Sequence, residues 1–164
     1  MATNQFTVEK FSVVSAKPFE DVLIGLERGI GRPNMNVLHD QMAAAPSFTE
    51  FQQIIHGAVG NADLMEFLRL DLGSALRKDP NAKAYKIVRI IAGNPLIMKQ
   101  MVEEVAEAGS YAPVTILVYE SYDGVHISYD TMVSFLAPYE NRAALEVAKD
   151  LDRKVMKLLV EAAE

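Results

Sequence analysis

The sequence predicts an α+β fold: an antiparallel or mixed sheet with helices packed on it in two layers, closed by a long C-terminal amphipathic helix. Three observations predict it. Apolar runs of strand length come singly between segments of helical periodicity through the first two thirds of the chain. An Asp123-Gly124 pair then stands between two alternating runs, the pattern of a β-hairpin. From about Asn141 to Ala162 the apolar residues return every three or four positions, with acids and lysines opposite. Single strands followed by a hairpin disfavour a doubly wound parallel sheet. The glycine fingerprints of dinucleotide-binding and P-loop folds are absent as well.

Taken in order, Phe6 to Val14 reads as a first strand, rich in Phe, Val and Thr. Pro18 suits a helix start, with Glu20 and Asp21 near its positive end. Phe19, Val22, Leu23, Leu26 and Ile30 make one buried stripe before Gly29, Gly31 and Pro33 stop it. Met35 to Pro46 is ambiguous between a short strand and a turn of helix. Ser47-Phe48-Thr49-Glu50 matches a capping box, starting a helix to about Gly57 that buries Phe48, Phe51, Ile54 and Ile55. Leu64 to Leu72 reads as a strand with Leu64, Leu68, Leu70 and Leu72 on one face and Met65 and Phe67 on the other. A short helix from Asp71 or Ser74 ends at Asp79-Pro80. Tyr85 to Ile91 is apolar on both faces and so a central strand. Asn94-Pro95 caps a helix through Met98, Met101, Val102 and Val105 to Gly109. Leu145, Ala148, Leu151, Val155, Leu158 and Leu159 line the apolar side of the last helix.

A chain of 164 residues fits one domain, taken as residues 1–164, and can bury a substantial core. Its apolar fraction of 50% and charged fraction of 23% exclude disorder. Sixteen Lys and Arg oppose 22 Asp and Glu, for a net charge of −6. The basic residues do not cluster beyond Arg77-Lys78 with Lys83 and Lys86, so nucleic acid is not expected as a partner. There is no cysteine, which removes disulfides, thiolate nucleophiles and cysteine-based metal sites. The first five residues, Met1 to Gln5, lack a signal-peptide pattern, and no apolar run approaches the ~18 residues of a membrane span. The expectation is a cytoplasmic protein with no membrane partner.

With Asp123 and Gly124 as central turn residues, Glu120 faces Ile127, Val118 faces Tyr129 and Tyr119 faces Ser128. One hairpin face then carries Val114, Ile116, Val118, Val125, Ile127 and Tyr129, which is core. The other carries Thr115, Leu117, Tyr119, His126, Ser128 and Asp130. Ser, His and Asp on one face invite comparison with a catalytic triad. Same-face neighbours, however, are about 6.6–7 Å apart at the backbone, and the serine is in the middle where the histidine belongs. A polar solvated face or a subunit interface is the better reading.

Three scattered histidines, His39, His56 and His126, form no helical His-x-x-x-His pair, so no metal site is assigned. Arg89 stands in an otherwise apolar strand, where an unpaired buried charge costs several kcal/mol. It calls for a salt bridge, to Glu66 or Asp71, or for a pocket where it receives an anion near the helix start at Asn94. Met98 and Met101 fall on a core stripe, where gap filling explains them and a methionine-lined apolar cavity is the alternative.

The segment Gly93-Asn94-Pro95-Leu96, the run from Gly109 through Pro113 to Val118, Tyr119-Glu120, Asp123-Gly124-Val125 and Ser128-Tyr129-Asp130 resemble the bacterial domain-of-unknown-function family 302, over nearly the whole chain from Phe6. The resemblance implies a two-layer α+β fold, often seen as a dimer, and supplies no activity, cofactor or catalytic residue. Many members carry a cysteine where this chain has Gly93, so thiol chemistry at that position does not transfer.

Three functions follow as expectations, in order. The first is a homodimeric small-molecule-binding protein with an apolar pocket anchored by Arg89 and Asn94. The second is an enzyme acting on a small anionic metabolite, with His126, Asp130 and Tyr119 as acid–base groups, at least one of which should approach Arg89. The third is a non-catalytic dimerisation module built on the hairpin's polar face and the last helix. The cofactor is unknown.

Overall fold

The computed structural model describes residue 3 and residues 5–164. Met1, Ala2 and Asn4, on which the expectation about a leader largely falls, lie outside the described residues. The strands are β1 (Lys10–Ser15), β2 (Ile30–Gly31), β3 (Leu64–Asp71), β4 (Ile87–Gly93), β5 (Val114–Ser121) and β6 (Gly124–Asp130). The helices are α1 (Phe19–Gly29), α2 (Met35–Ala44), α3 (Phe48–Ala58), α4 (Gly73–Leu76), α5 (Pro95–Val102), α6 (Met132–Leu136) and α7 (Arg142–Ala163). Short 3-10 turns occupy Ala106–Ser110 and Ala137–Tyr139.

The strands form one six-stranded sheet in the order β1-β6-β5-β4-β3-β2, antiparallel except for the β2–β3 pair. The sheet is therefore mixed, and β4 lies inside it as its two-sided apolar pattern required. α1 and α7 pack on each other and, with α5 and α6, over one sheet face. Val88, Ile90, Ile116, Val118, Ile127 and Tyr129 project from that face into the main core. They meet Leu26, Leu151, Val155 and Leu159, all nearly removed from water. α2 and α3 close on one corner, where Leu38, Ile55, Met65 and Leu96 form a second cluster. Met65 follows Leu64 of the main core and so points to the other side of the sheet. The ambiguous stretch after Pro33 is a helix because Asn34 accepts the backbone N–H groups of Asn36 and Val37.

Several expectations are corrected. The first strand begins at Lys10 rather than Phe6. The helix from Asn94-Pro95 ends at Val102, and a separate 3-10 turn carries the chain past Gly109. Phe48 is 51% exposed instead of buried, stacked on Phe51 beneath the Lys99 ammonium. In the capping box Ser47 accepts from the Glu50 amide, but the Glu50 carboxylate takes the serine hydroxyl rather than the serine's backbone N–H. In β3 the register shifts between Glu66 and Leu68, so Phe67 is an extra residue against β4. That shift moves Leu68 onto the uncovered face, 51% exposed, and brings Arg69 opposite Ile90. The β5–β6 turn is Tyr122-Asp123, with Ser121 opposite Gly124, so Tyr119 faces His126 and Val118 faces Ile127. The pairing is two residues from the expected one, which preserves which face each side chain occupies.

Among the described residues no helix is long and apolar enough to cross a membrane.

Candidate functional site

The sheet face opposite the main core carries the polar side of the hairpin, and no helix lies over most of it. On it Arg89 pairs with Leu117 across β4–β5, and Leu117 with Ser128 across β5–β6. Arg89 is exposed rather than buried. Its guanidinium donates to Thr115 Oγ1 at 3.3 Å and takes part in none of the ion pairs among the described residues. The two acids considered for it are held by other arginines. Glu66 binds Arg69 through two hydrogen bonds of 3.0 and 2.6 Å, and Arg77 pairs with Asp71. Arg69 also binds Glu27 at 2.6 Å. Burial opposes the Arg69 charge, but its bonds to Glu66 and Glu27 outweigh that and raise its pKa above the ordinary guanidinium value.

Arg89 opens onto a cavity of about 510 Å3 beside the Gly109–Pro113 segment. Thr115, Asp130 and Ser110 are its other polar walls, and Tyr111, Phe135 and Ile91 its apolar ones. Tyr111 stacks on Phe135 with ring centroids 4.7 Å apart, and its hydroxyl lies 3.2 Å from that of Tyr139. That contact, with burial and charge acting the same way, pushes the Tyr139 phenol up to about 12. Asp130 is bound at 2.5 Å by Lys10 of the neighbouring strand, which balances its charge at the cavity rim.

Of the five residues singled out from the sequence, Arg89 and Asp130 thus line one cavity. His126 and Tyr119 lie elsewhere, toward the hairpin turn. Their rings stack at 4.9 Å, and His126 Nε2 is 2.7 Å from Asp123 Oδ1. The His126 hydrogen bond holds the Asp123 carboxyl below the usual carboxylate range. Ser128 and Asp130 are not partners of this imidazole in the structure. Asn94 belongs to a third place. Its Oδ1 accepts the Leu96 amide at 2.8 Å, while its Nδ2 donates to the Asp63 carbonyl and side chain at 3.1 and 3.0 Å. His39 and His56 are exposed on separate helices. Among the described residues no group of three or more His, Asp or Glu side chains is placed to hold a metal ion.

The sequence placed Thr115 on the hairpin's polar face without marking it as a site residue, and Tyr111 and Phe135 were not singled out at all. Tyr111 lies within the Gly109–Pro113 turn, whose cis Ala112–Pro113 bond precedes β5, and Thr115 is the second residue of that strand. The glycine–proline spacing was the available signal, but Phe135 joins from a helix that only the fold brings near.

The fold and site together define a class: an α+β protein whose mixed sheet is packed by helices over one face and at one corner of the other, with an arginine-edged cavity on the part left uncovered. The model of the family described as "Domain of unknown function DUF302" matches residues 40–162, and the chain belongs to that family. The chain is also similar in structure to an uncharacterized conserved DUF302 protein from Bacillus stearothermophilus, known from its crystal structure. The two are 12% identical, the likeness covers 93% of this chain and 97% of that one, and the TM-score is 0.65. No curated protein matches the chain. At that identity the likeness shows the fold alone.

Proposed function

We propose that this protein binds a small anionic molecule in the Arg89 cavity and does so as a homodimer. The observation that carries the reading is Arg89 itself: a guanidinium with no carboxylate partner among the described residues, at the edge of a cavity of ligand size. An arginine in that setting presents its donors to a carboxylate or phosphate. The stacked Tyr111 and Phe135 rings would give the rest of the ligand an apolar wall. Asp130, with Lys10 beside it, would accept from a donor on the same ligand. Asn94 would act as a second-rank support, holding the cap of α5 rather than touching the ligand, since both ends of its amide are engaged.

The homodimer rests on the uncovered face. Val14 and Leu68 are each 51% exposed there, with half-buried Leu70, Ile87 and Leu117 between them. A second copy applied to this patch by twofold symmetry would bury these side chains. Asp130 favours a second reading, in which the same cavity turns over its anionic ligand as an enzyme with Asp130 as the acid–base group.

Titrating 15N-labelled protein with small carboxylates and phosphates tests the binding reading. The Arg89 Nε–H and Thr115 amide signals should move saturably while those of His126 and Asp123 stay in place. Saturable shifts centred on His126 and Tyr119, or no saturable shift at all, would contradict it.

A further inference from the structure

A second chamber of about 460 Å3 lies on the far side of the Gly109–Pro113 segment from Arg89. It is framed by Met42 of α2, Met98 and Met101 of α5, Phe67 of the β3 bulge, and Pro113. We propose that this chamber is a binding site for a neutral apolar small molecule, of hydrocarbon or uncharged aromatic character, independent of the anion site at Arg89.

Three features support a built site over loose packing. The chamber is a cleft partly open to solvent, so a ligand can enter it, and its volume falls within the roughly 300–1,000 Å3 of small-molecule sites. Its lining holds no charged side chain, and the one amide in it, Asn94, spends its oxygen on Leu96 and its nitrogen on Asp63. Water inside would find few partners, and an apolar ligand displacing it would forfeit no hydrogen bond. An ion would meet no counter-charge, which restricts the occupant to neutral compounds.

The residue choices agree with this. Met42, Met98 and Met101 are three of the chain's eight methionines, and flexible thioethers suit a surface that must adapt to an apolar guest. Gly93 lies in the same wall. A Cβ there would stand 3.1 Å from Pro113 Cβ and 3.2 Å from Phe67 Cε2, so a side chain at that position would crowd the chamber. The β3 bulge that exposes Leu68 is also what sets Phe67 against this space.

Two fluorescent probes separate this site from the Arg89 cavity: N-phenyl-1-naphthylamine, and anilinonaphthalene sulfonate, a similar ring system with an anionic group added. The protein should bind the neutral probe saturably at one site per chain, and in Arg89→Ala protein, where the anion site is removed, at least tenfold more tightly than the sulfonate. Met98 is half-buried, so Met98→Asp should fold while placing a charge in the chamber, and should weaken the neutral probe tenfold or more. Met42→Gln, milder and on a different helix, should weaken it in the same direction. Arg89→Ala should leave its affinity within twofold. Absence of saturable binding of the neutral probe would overturn the proposal, as would tighter binding of the sulfonate than of the neutral probe to Arg89→Ala protein, in which the anion site is removed. So would loss of the neutral probe in Arg89→Ala with retention in Met98→Asp. Because Arg89 is scored separately, failure here leaves the anion site standing, and the reverse also holds.

Discussion

The Asp152 carboxylate, 5% exposed, accepts from the Tyr129 hydroxyl at 2.6 Å and from the Met132 and Val133 amides at 2.8 and 3.1 Å. It does for α6 what a capping side chain does, although it comes from α7. Burial, then the charge and hydrogen bond of Asp152, push the Tyr129 phenol far above its ordinary pKa, so Tyr129 keeps its proton to donate through the alkaline range. Asp152→Ala would leave the buried Tyr129 hydroxyl and the half-buried Val133 amide without their acceptor, and the Met132 amide with only the Tyr129 oxygen at 3.2 Å. It should cost about 3 kcal/mol or more in urea denaturation, and Tyr129→Phe about 1 kcal/mol. A loss below about 1 kcal/mol for Asp152→Ala would contradict this account. Local sequence gave no sign of the role, because Asp152 sits among the acids and lysines of an amphipathic helix and its partners lie about 20 positions away. Arg89 was legible for the opposite reason: a charge in an apolar strand is conspicuous without any knowledge of the fold. What periodicity left open was which side of the sheet would be covered, so the need for a partner was inferred from a burial that Arg89 does not have.

At the scale of elements, periodicity placed β4, β5, β6, α1 and α7 well, since each buries a continuous apolar face. It failed where one residue changes the phase. The extra residue at Phe67 reverses β3, so the leucines after it face outward. The hairpin shows a gentler failure, because a slip of two residues keeps every face and leaves no hydrophobic penalty to read. Gly124 is not a central turn residue. It closes the turn at φ +140°, where a Cβ would lie 2.6 Å from the Ser15 carbonyl oxygen on β1. Glycine therefore lets β1, β6 and the turn meet. Gly124→Ala should destabilise the protein by about 1–3 kcal/mol and raise amide exchange in β1. A change under about 0.5 kcal/mol with β1 protection intact would show that the turn relaxes freely.

At the scale of the molecule, the sheet divides the protein into a packed side, which accounts for stability, and an open side, which carries the candidate chemistry. The candidate site was only half legible in the sequence. Arg89 and Asp130 come together through β4–β5–β6 pairing, while His126 and Tyr119, on the same face, end up with Asp123 near the turn. If the open face is where two copies meet, sedimentation at tens of micromolar should give twice 18.1 kDa, and Leu68→Glu should give the monomer. A monomeric wild-type protein, or a dimer indifferent to Leu68→Glu, would remove that face as the interface.

The central claim is that Arg89 receives an anion, and melting-temperature measurement across a panel of small carboxylates and phosphates tests it most directly. A ligand at 100 times its dissociation constant adds about 2.7 kcal/mol of stability. For a chain of this size that is a rise of roughly 5–10 °C. The account predicts such a rise for at least one anion with wild-type protein and its loss in Arg89→Ala. An equal rise in both proteins, or none across the panel, would contradict it.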